Sequence, residues 1–374
     1  MPKRRAPTTG QGTSTGVFTP PYPPSWFDRV TAWIDRLPGP SSAFYVLLAI
    51  GLALAVSSIQ WWEGAYPTGT FDAGHVFTGA SLAAVLGLMH FQDKAATSAI
   101  KSFRPLLSSK DEASRPSAQE ESAFAALSYQ LTTLPPRPAL LATIAGCAFA
   151  SIAYAVDVVS GTVPPYLAGA AGTALSTASI MIPFILANGL FVLLVYHTFH
   201  QLLQVSRIYT NHTRIDIYQV QSLYALSLPG AITALSLIAF AYGLYAITPR
   251  GAPENPVQIG IYLVVAGAAS AAFALPLIGA HRALAAEKSA SLSQVSSRFK
   301  AITVQLHREL DNGRMSQMDT LNRALASLQI EQDVLRKIPT WPWDPAAVRA
   351  LVVALLLPVA VWTIQFILAR LLGT

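Results

Sequence analysis

His197 and His200 stand at i and i+3 in one apolar run, so on a helix they share a face. His90 ends an earlier apolar run, and His212 lies in the polar stretch that follows the run holding His197 and His200. If these runs cross a membrane, all four rings come to the same depth. Imidazoles at one level between helices can ligate haem or a metal, or relay protons. They can equally serve as hydrogen-bonding anchors at the membrane surface, and no set of Asp and Glu accompanies them as co-ligands. His90, His197, His200 and His212 are therefore the candidate cofactor-binding residues. No catalytic residue and no metal-ligand set is identified, and no resident cofactor is expected.

Other chemistry is sparse. His75 and Asp157 fall at the opposite ends of their runs and are expected to be hydrated. The runs are otherwise nearly free of ionisable side chains, which counts against ion-coupled transporters and proton pumps. The last run has no Lys for a retinal Schiff base. Phosphate-cradling, dinucleotide-binding, zinc-protease and serine-elbow patterns are absent. Cys147 is the single cysteine; it allows no intramolecular disulfide or cysteine metal cluster and reads as a small apolar residue. Asn211-His212-Thr213 matches a glycosylation sequon but falls on the expected cytoplasmic side. An enzyme is not implied.

The elements that must position these residues follow from composition. Of 374 residues, 52% are hydrophobic and 12% charged, about half the charge of a soluble domain. Lipid is the expected solvent. Seven apolar segments, about 41–62, 73–91, 138–158, 177–200, 229–248, 257–281 and 345–371, each approach the length that a hydrocarbon core of roughly 30 Å requires. Inside lipid every backbone group needs an internal partner, so these segments must be helices. Pro183, Asn188, Pro276 and Pro358 interrupt them, and each proline frees a carbonyl for a neighbour to satisfy. Ala142, Gly146 and Ala150, and Gly267 with Ala271, are spaced for close helix packing, within the bundle or between subunits.

The net charge of +6 does not imply nucleic acid, because Lys and Arg alternate between connectors. The N-terminal region, 92–137, 201–228 and 282–344 are basic, whereas 63–72 and 159–176 carry no Lys or Arg and 249–256 only Arg250. The alternation holds only if 73–91 spans. The expectation is an all-α polytopic bundle of about seven transmembrane helices, N-terminus inside and C-terminus outside. Its expected location is the plasma membrane, of the prokaryotic inner-membrane type. No cleavable signal peptide is read. Residues 1–24 read as a disordered tail. Residues 25–37 read as an amphipathic helix capped by Ser25, with Trp26, Phe27, Val30, Trp33, Ile34 and Leu37 on one face and Asp28, Arg29, Asp35 and Arg36 on the other. That pattern suits the membrane surface or a packed contact.

The best-patterned polar region is 282–338. Leu292, Val295, Phe299, Ile302 and Leu306 form one coiled-coil-like seam, and Met318, Leu321, Leu325, Leu328 and Leu335 a second. Asp311-Asn312-Gly313 breaks the helix between them. Both ends return to the same membrane face, so an antiparallel cytoplasmic hairpin is expected. Within 92–137, Phe124, Leu127, Leu131 and Leu134 predict a further helix against the hairpin base. The leading functional expectation is a non-enzymatic membrane component whose hairpin contacts a protein partner or a second copy, or relays a conformational change. A channel or permease for a small or weakly charged solute, and a haem- or quinone-binding redox subunit, are the alternatives.

Overall fold

The computed structural model describes residues 18–104, 118–161, 173–211, 230–239, 256–312, 318–341 and 345–372. Regular structure among them is entirely helical. The order is α1 (Trp26–Ile34), α2 (Ser41–Trp62), α3 (Ala73–Phe103), α4 (Ala118–Thr132), α5 (Pro136–Ser160), α6 (Ala174–Asn211), α7 (Gly230–Ala239), α8 (Pro256–Asp311), α9 (Met318–Lys337) and α10 (Pro345–Leu372). Among the described residues, four stretches are long and apolar enough to cross a membrane: Ser41–Trp62, Ala73–Phe103, Glu120–Ser160 and Ala174–Ile208. The doubtful second segment is one of them. His212 and the turn residue Gly313 lie outside the described residues.

Three helices overrun their expected ends. The segment expected at 73–91 continues to Phe103, that at 177–200 continues to Asn211, and that at 257–281 continues to Asp311. Hydropathy falls where lipid would end, but hydrogen bonding within a helix continues wherever an apolar stripe still finds a packing surface. Here the stripes meet one another. Phe103 and Ile100 of α3, Leu131 of α4, Val205 and Ile208 of α6, Leu284 and Val295 of α8, and Leu328 and Leu335 of α9 form one buried cluster. The expected contact between α4 and the hairpin base is part of it.

The apolar bundle itself has a second core. Phe27 of α1, Leu86 and Met89 of α3, Ala139 of α5, and Leu190 and Leu193 of α6 are buried together. On the outside of the bundle, Leu47, Leu141, Phe149 and Ile152 are 64–69% exposed, a face suited to lipid rather than water. A third cluster joins Ala231 and Ile238 of α7, Ala269 of α8 and Leu351 of α10.

Side-chain details depart from expectation at several points. Ser25 caps α1 in a capping box with Asp28 as expected, but α2 starts after Pro40 without a side-chain cap. Ser41 instead accepts from Lys94 Nζ at 2.9 Å. His75 is not hydrated: it is 2% exposed, because the 63–72 loop folds over it and sets Tyr66 edge-on against its ring. Residues 18–24 of the expected tail lie against α4, with Tyr22 Oη donating to Thr133 O and Tyr129 Oη donating to Tyr22 O. Burial and the neighbouring Tyr129 push the Tyr22 phenol up to about 12, so it remains a donor throughout the physiological range.

At Gly146 α5 packs directly on the backbone of α6. A Cβ there would lie 2.6 Å from Asn188 O and 2.8 Å from Gly189 Cα. Both are backbone atoms of α6 that no rotamer change can move. The Ala142, Gly146 and Ala150 stripe thus packs within the bundle, whereas Gly267 of the second stripe has nothing within 4 Å. Gly146→Ala should therefore destabilise the protein by about 1–3 kcal/mol, read as a lowered thermal unfolding midpoint in detergent. Gly51→Ala, at a helical position with nothing within 4 Å, should leave that midpoint unchanged or slightly raised, because Ala favours helix by up to ~1 kcal/mol.

Candidate functional site: a polar layer between two cores

Between the bundle core and the cluster beyond it lies a layer of hydrogen-bonded polar side chains. The local folding that makes it is simple. Gln92, Asp93 and Lys94 are consecutive on α3, so they point in three directions around the helix. His197 and Gln201 are one turn apart on α6 and point the same way.

Asp93 receives both α6 residues. His197 Nε2 lies 2.8 Å from Asp93 Oδ1, and Gln201 Nε2 donates to the same oxygen at 3.4 Å. His197 is 2% exposed and Gln201 1%. Both α6 side chains thus converge on one carboxylate oxygen. Phe27 of α1 stands edge-on to the same imidazole. Gln92, fully buried, donates to Thr233 Oγ1 of α7 at 2.9 Å.

Lys94 and His90 reach α1 and α2. Asp35 accepts from Lys94 Nζ at 2.7 Å through one oxygen, and its other oxygen lies 3.0 Å from His90 Nε2. His90 Nδ1 is 2.8 Å from Tyr45 Oη. At the other end of α1, Asp28 accepts from Ser25 N and Oγ and from Leu134 N. The two acidic residues expected on a solvent face of α1 therefore clamp the helix to the protein. They can do so because the surface beneath offers a lysine, a histidine and a free backbone N–H. Burial raises the Asp28 carboxyl above the usual carboxylate range despite its bonds to Ser25. Burial acts the same way on Asp35, but the bonds from Lys94 and His90 outweigh it and hold that carboxyl below the usual range.

Each described candidate histidine has its own partner. His90 pairs with Tyr45 and Asp35, His197 with Asp93, and His200 Nε2 with Gln130 O at 3.0 Å. No three His, Cys, Asp or Glu converge on a metal position among the described residues. Asp93, Gln92, Gln201 and Asp35 are the members that pattern reading passes over. The available signal was Asp93, a carboxylate at the same helix end as His90 and at the depth expected for His197. Asn188, a candidate for a polar path, bonds Phe184 O in its own helix. Pro183 leaves the Ser179 carbonyl without its usual N–H, and in that turn Gln60 of α2 donates to Ser176 O and Ser179 Oγ.

The layer's chemistry is to fix orientation. Buried polar partners allow one register between helices where apolar packing alone allows several. No protein-family model, curated protein or solved structure matches the chain.

Asp93→Ala removes the acceptor shared by His197 and Gln201 and leaves buried donors without a partner. It should cost about 1–3 kcal/mol in unfolding measurements, since the loss is the desolvation of those donors, while Asp93→Asn should cost less. For Asp35, the sign follows from its lowered value. Its contribution is fully present above the unfolded value of about 3.9 and is lost as pH falls through the lower folded value. Asp35→Asn should therefore lower the thermal midpoint at neutral pH, and the gap from wild type should close in acid well below that value.

Proposed function

We propose that this chain is a non-enzymatic, multi-pass plasma-membrane protein, of the prokaryotic inner-membrane type, whose cytoplasmic helical hairpin is a stiff arm that contacts a protein partner or relays a movement of the bundle. One observation carries this reading. Pro256–Asp311 is a single helix of 56 residues, about 84 Å long at 1.5 Å per residue. The same helix contributes Ala269 to the cluster with α7 and α10 and Val295 to the hairpin core. A rotation or tilt of its apolar half is a rotation or tilt of the arm.

The root of the arm is held on both of its limbs. Lys288 Nζ donates to Arg336 O and Ile338 O at 2.7 Å, closing the carbonyl end of α9 with a cation as the helix dipole favours. Next to it, His281 stacks on Trp341 with centroids 3.9 Å apart, and its Nδ1 lies 3.1 Å from Thr340 O. Leu284 and Leu335 are 1% and 0% exposed, so the root is packed as tightly as the bundle.

Seven spans with the N-terminus inside complete the reading. Its support is the alternation of Lys and Arg between connectors and the joint packing of α7, α8 and α10, which adds three apolar helices to the four long ones.

Ser102 of α3 and Ser327 of α9 are exposed and serve to test both parts. With Cys147→Ala as background, spin labels on Ser102→Cys and Ser327→Cys should give one narrow distance distribution in lipid nanodiscs. A broad distribution would disprove a stiff arm. The single Ser327→Cys variant should resist a membrane-impermeant thiol reagent in intact cells and react in inverted vesicles; the reverse result would put the arm outside.

A further inference from the structure

Helix α1 has two unlike sides. Phe27, Thr31 and Ile34 are buried, at the spacing of four and three that marks one side of a helix. The opposite side carries Arg29, Ala32 and Trp33, all of them exposed. The turn that closes the helix continues that side: Arg36 N donates to Trp33 O at 3.0 Å, and Arg36 is exposed as well. One indole with an arginine a turn away on either hand is thus turned away from the protein.

Charge and depth identify what this side meets. The acidic residues of the same segment are engaged elsewhere: Asp28 accepts from Ser25 N and Leu134 N, and Asp35 accepts from Lys94 and faces His90. Neither Arg29 nor Arg36 pairs with an acidic side chain among the described residues. The depth is set by α2. Its 22 residues span about 33 Å at 1.5 Å per residue, which matches a hydrocarbon core of roughly 30 Å with little to spare. Both ends of α2 therefore stand near the headgroups. Phe44, in the first turn of α2, lies against the Trp33 ring, edge to face with centroids 6.0 Å apart. Further along α2, Val46, Leu47 and Ile50 are exposed. Trp33 thus lies where lipid tails give way to phosphates, the level at which tryptophan concentrates.

We propose that the Arg29, Trp33 and Arg36 side of α1 binds the headgroup phosphate of an anionic phospholipid. A guanidinium group can donate two parallel hydrogen bonds to phosphate oxygens, and the net negative charge of the lipid supplies the counter-ion that the chain withholds. The occupant is lipid because Phe44 joins this side of α1 to the exposed apolar side of α2, which lipid tails cover. The inference rests on α2 crossing a membrane and not on the arm, so it and the proposed role of the arm fail separately.

The test uses the full chain in phosphatidylcholine nanodiscs, with Cys147→Ala as background and a fluorophore on Ala32→Cys, between the two arginines. Brominated phosphatidylglycerol should quench the label at a lower mole fraction than brominated phosphatidylcholine does. Arg29→Gln and Arg36→Gln should each raise that fraction by about fivefold. The thermal midpoint in detergent should not move, because neither side chain has an ionic partner to lose; a fall in it would make the arginines structural and overturn the site. Equal quenching by the two lipids would overturn it too, as would a preference that survives the double substitution. Displacement by inorganic phosphate at matched ionic strength would assign the face to a free anion instead. Quenching by neither lipid would mean that protein covers the face, and would likewise end the proposal.

Discussion

The structure depends on apolar stripes that continue past the apolar segments and bury one another. Phe103, Leu131, Ile208, Leu284 and Leu335 come from five different helices and are each no more than 2% exposed. Within lipid, apolar side chains gain little by leaving one apolar solvent for another, so helices there associate through close packing and polar contacts. The cluster is different. Its stripes lie beyond the most apolar parts of their helices, and where water surrounds such a cluster burial contributes roughly 25 cal/mol for each Å². It gathers α3, α4, α6, α8 and α9 and sets the distances at which their apolar halves can meet.

The polar layer divides the remaining work of orientation. Its bonds fall into three sets, each joining a different pair of elements: Asp93 with His197 and Gln201 joins α3 to α6, Gln92 with Thr233 joins α3 to α7, and Asp35 with Lys94 and His90 joins the end of α1 to α3. Helix α3 is the common member, with three successive side chains aimed at three neighbours. An apolar α3 could turn about its axis with small changes in packing. One that carries Gln92, Asp93 and Lys94 cannot, because a rotation breaks all three sets at once. His197 Nδ1, Gln92 Oε1 and Gln201 Oε1 are buried without a protein partner. The layer thus forms fewer bonds within the protein than its groups can make.

Sequence patterning reaches the helical class and the Ser25 cap, because each depends on neighbours within a few positions. It misses the helix ends and the partners of the polar groups. Hydropathy ends near His90 and His200, where lipid would end, whereas the backbone ends where packing does, at Phe103 and Asn211. Asp28 and Asp35 look like a solvent face because their spacing is opposite to that of the apolar residues on α1. Only the folded chain brings Leu134 N, His90 and Lys94 beneath them. His75 looks hydrated for the same reason, until a loop ten residues long covers it. The pairings of Asp28 and Asp35 join residues more than fifty positions apart, and no local periodicity encodes them.

The two kinds of contact have opposite consequences for movement. A continuous α8 transmits any tilt, but a bundle fixed on all sides would have none to transmit. The apolar cluster resists separation of its helices while tolerating small sliding, since dispersion and burial carry no fixed direction. The hydrogen bonds of the layer above it are directional and therefore admit only discrete arrangements. The collar therefore fixes which helices adjoin, and the layer fixes how each one is turned.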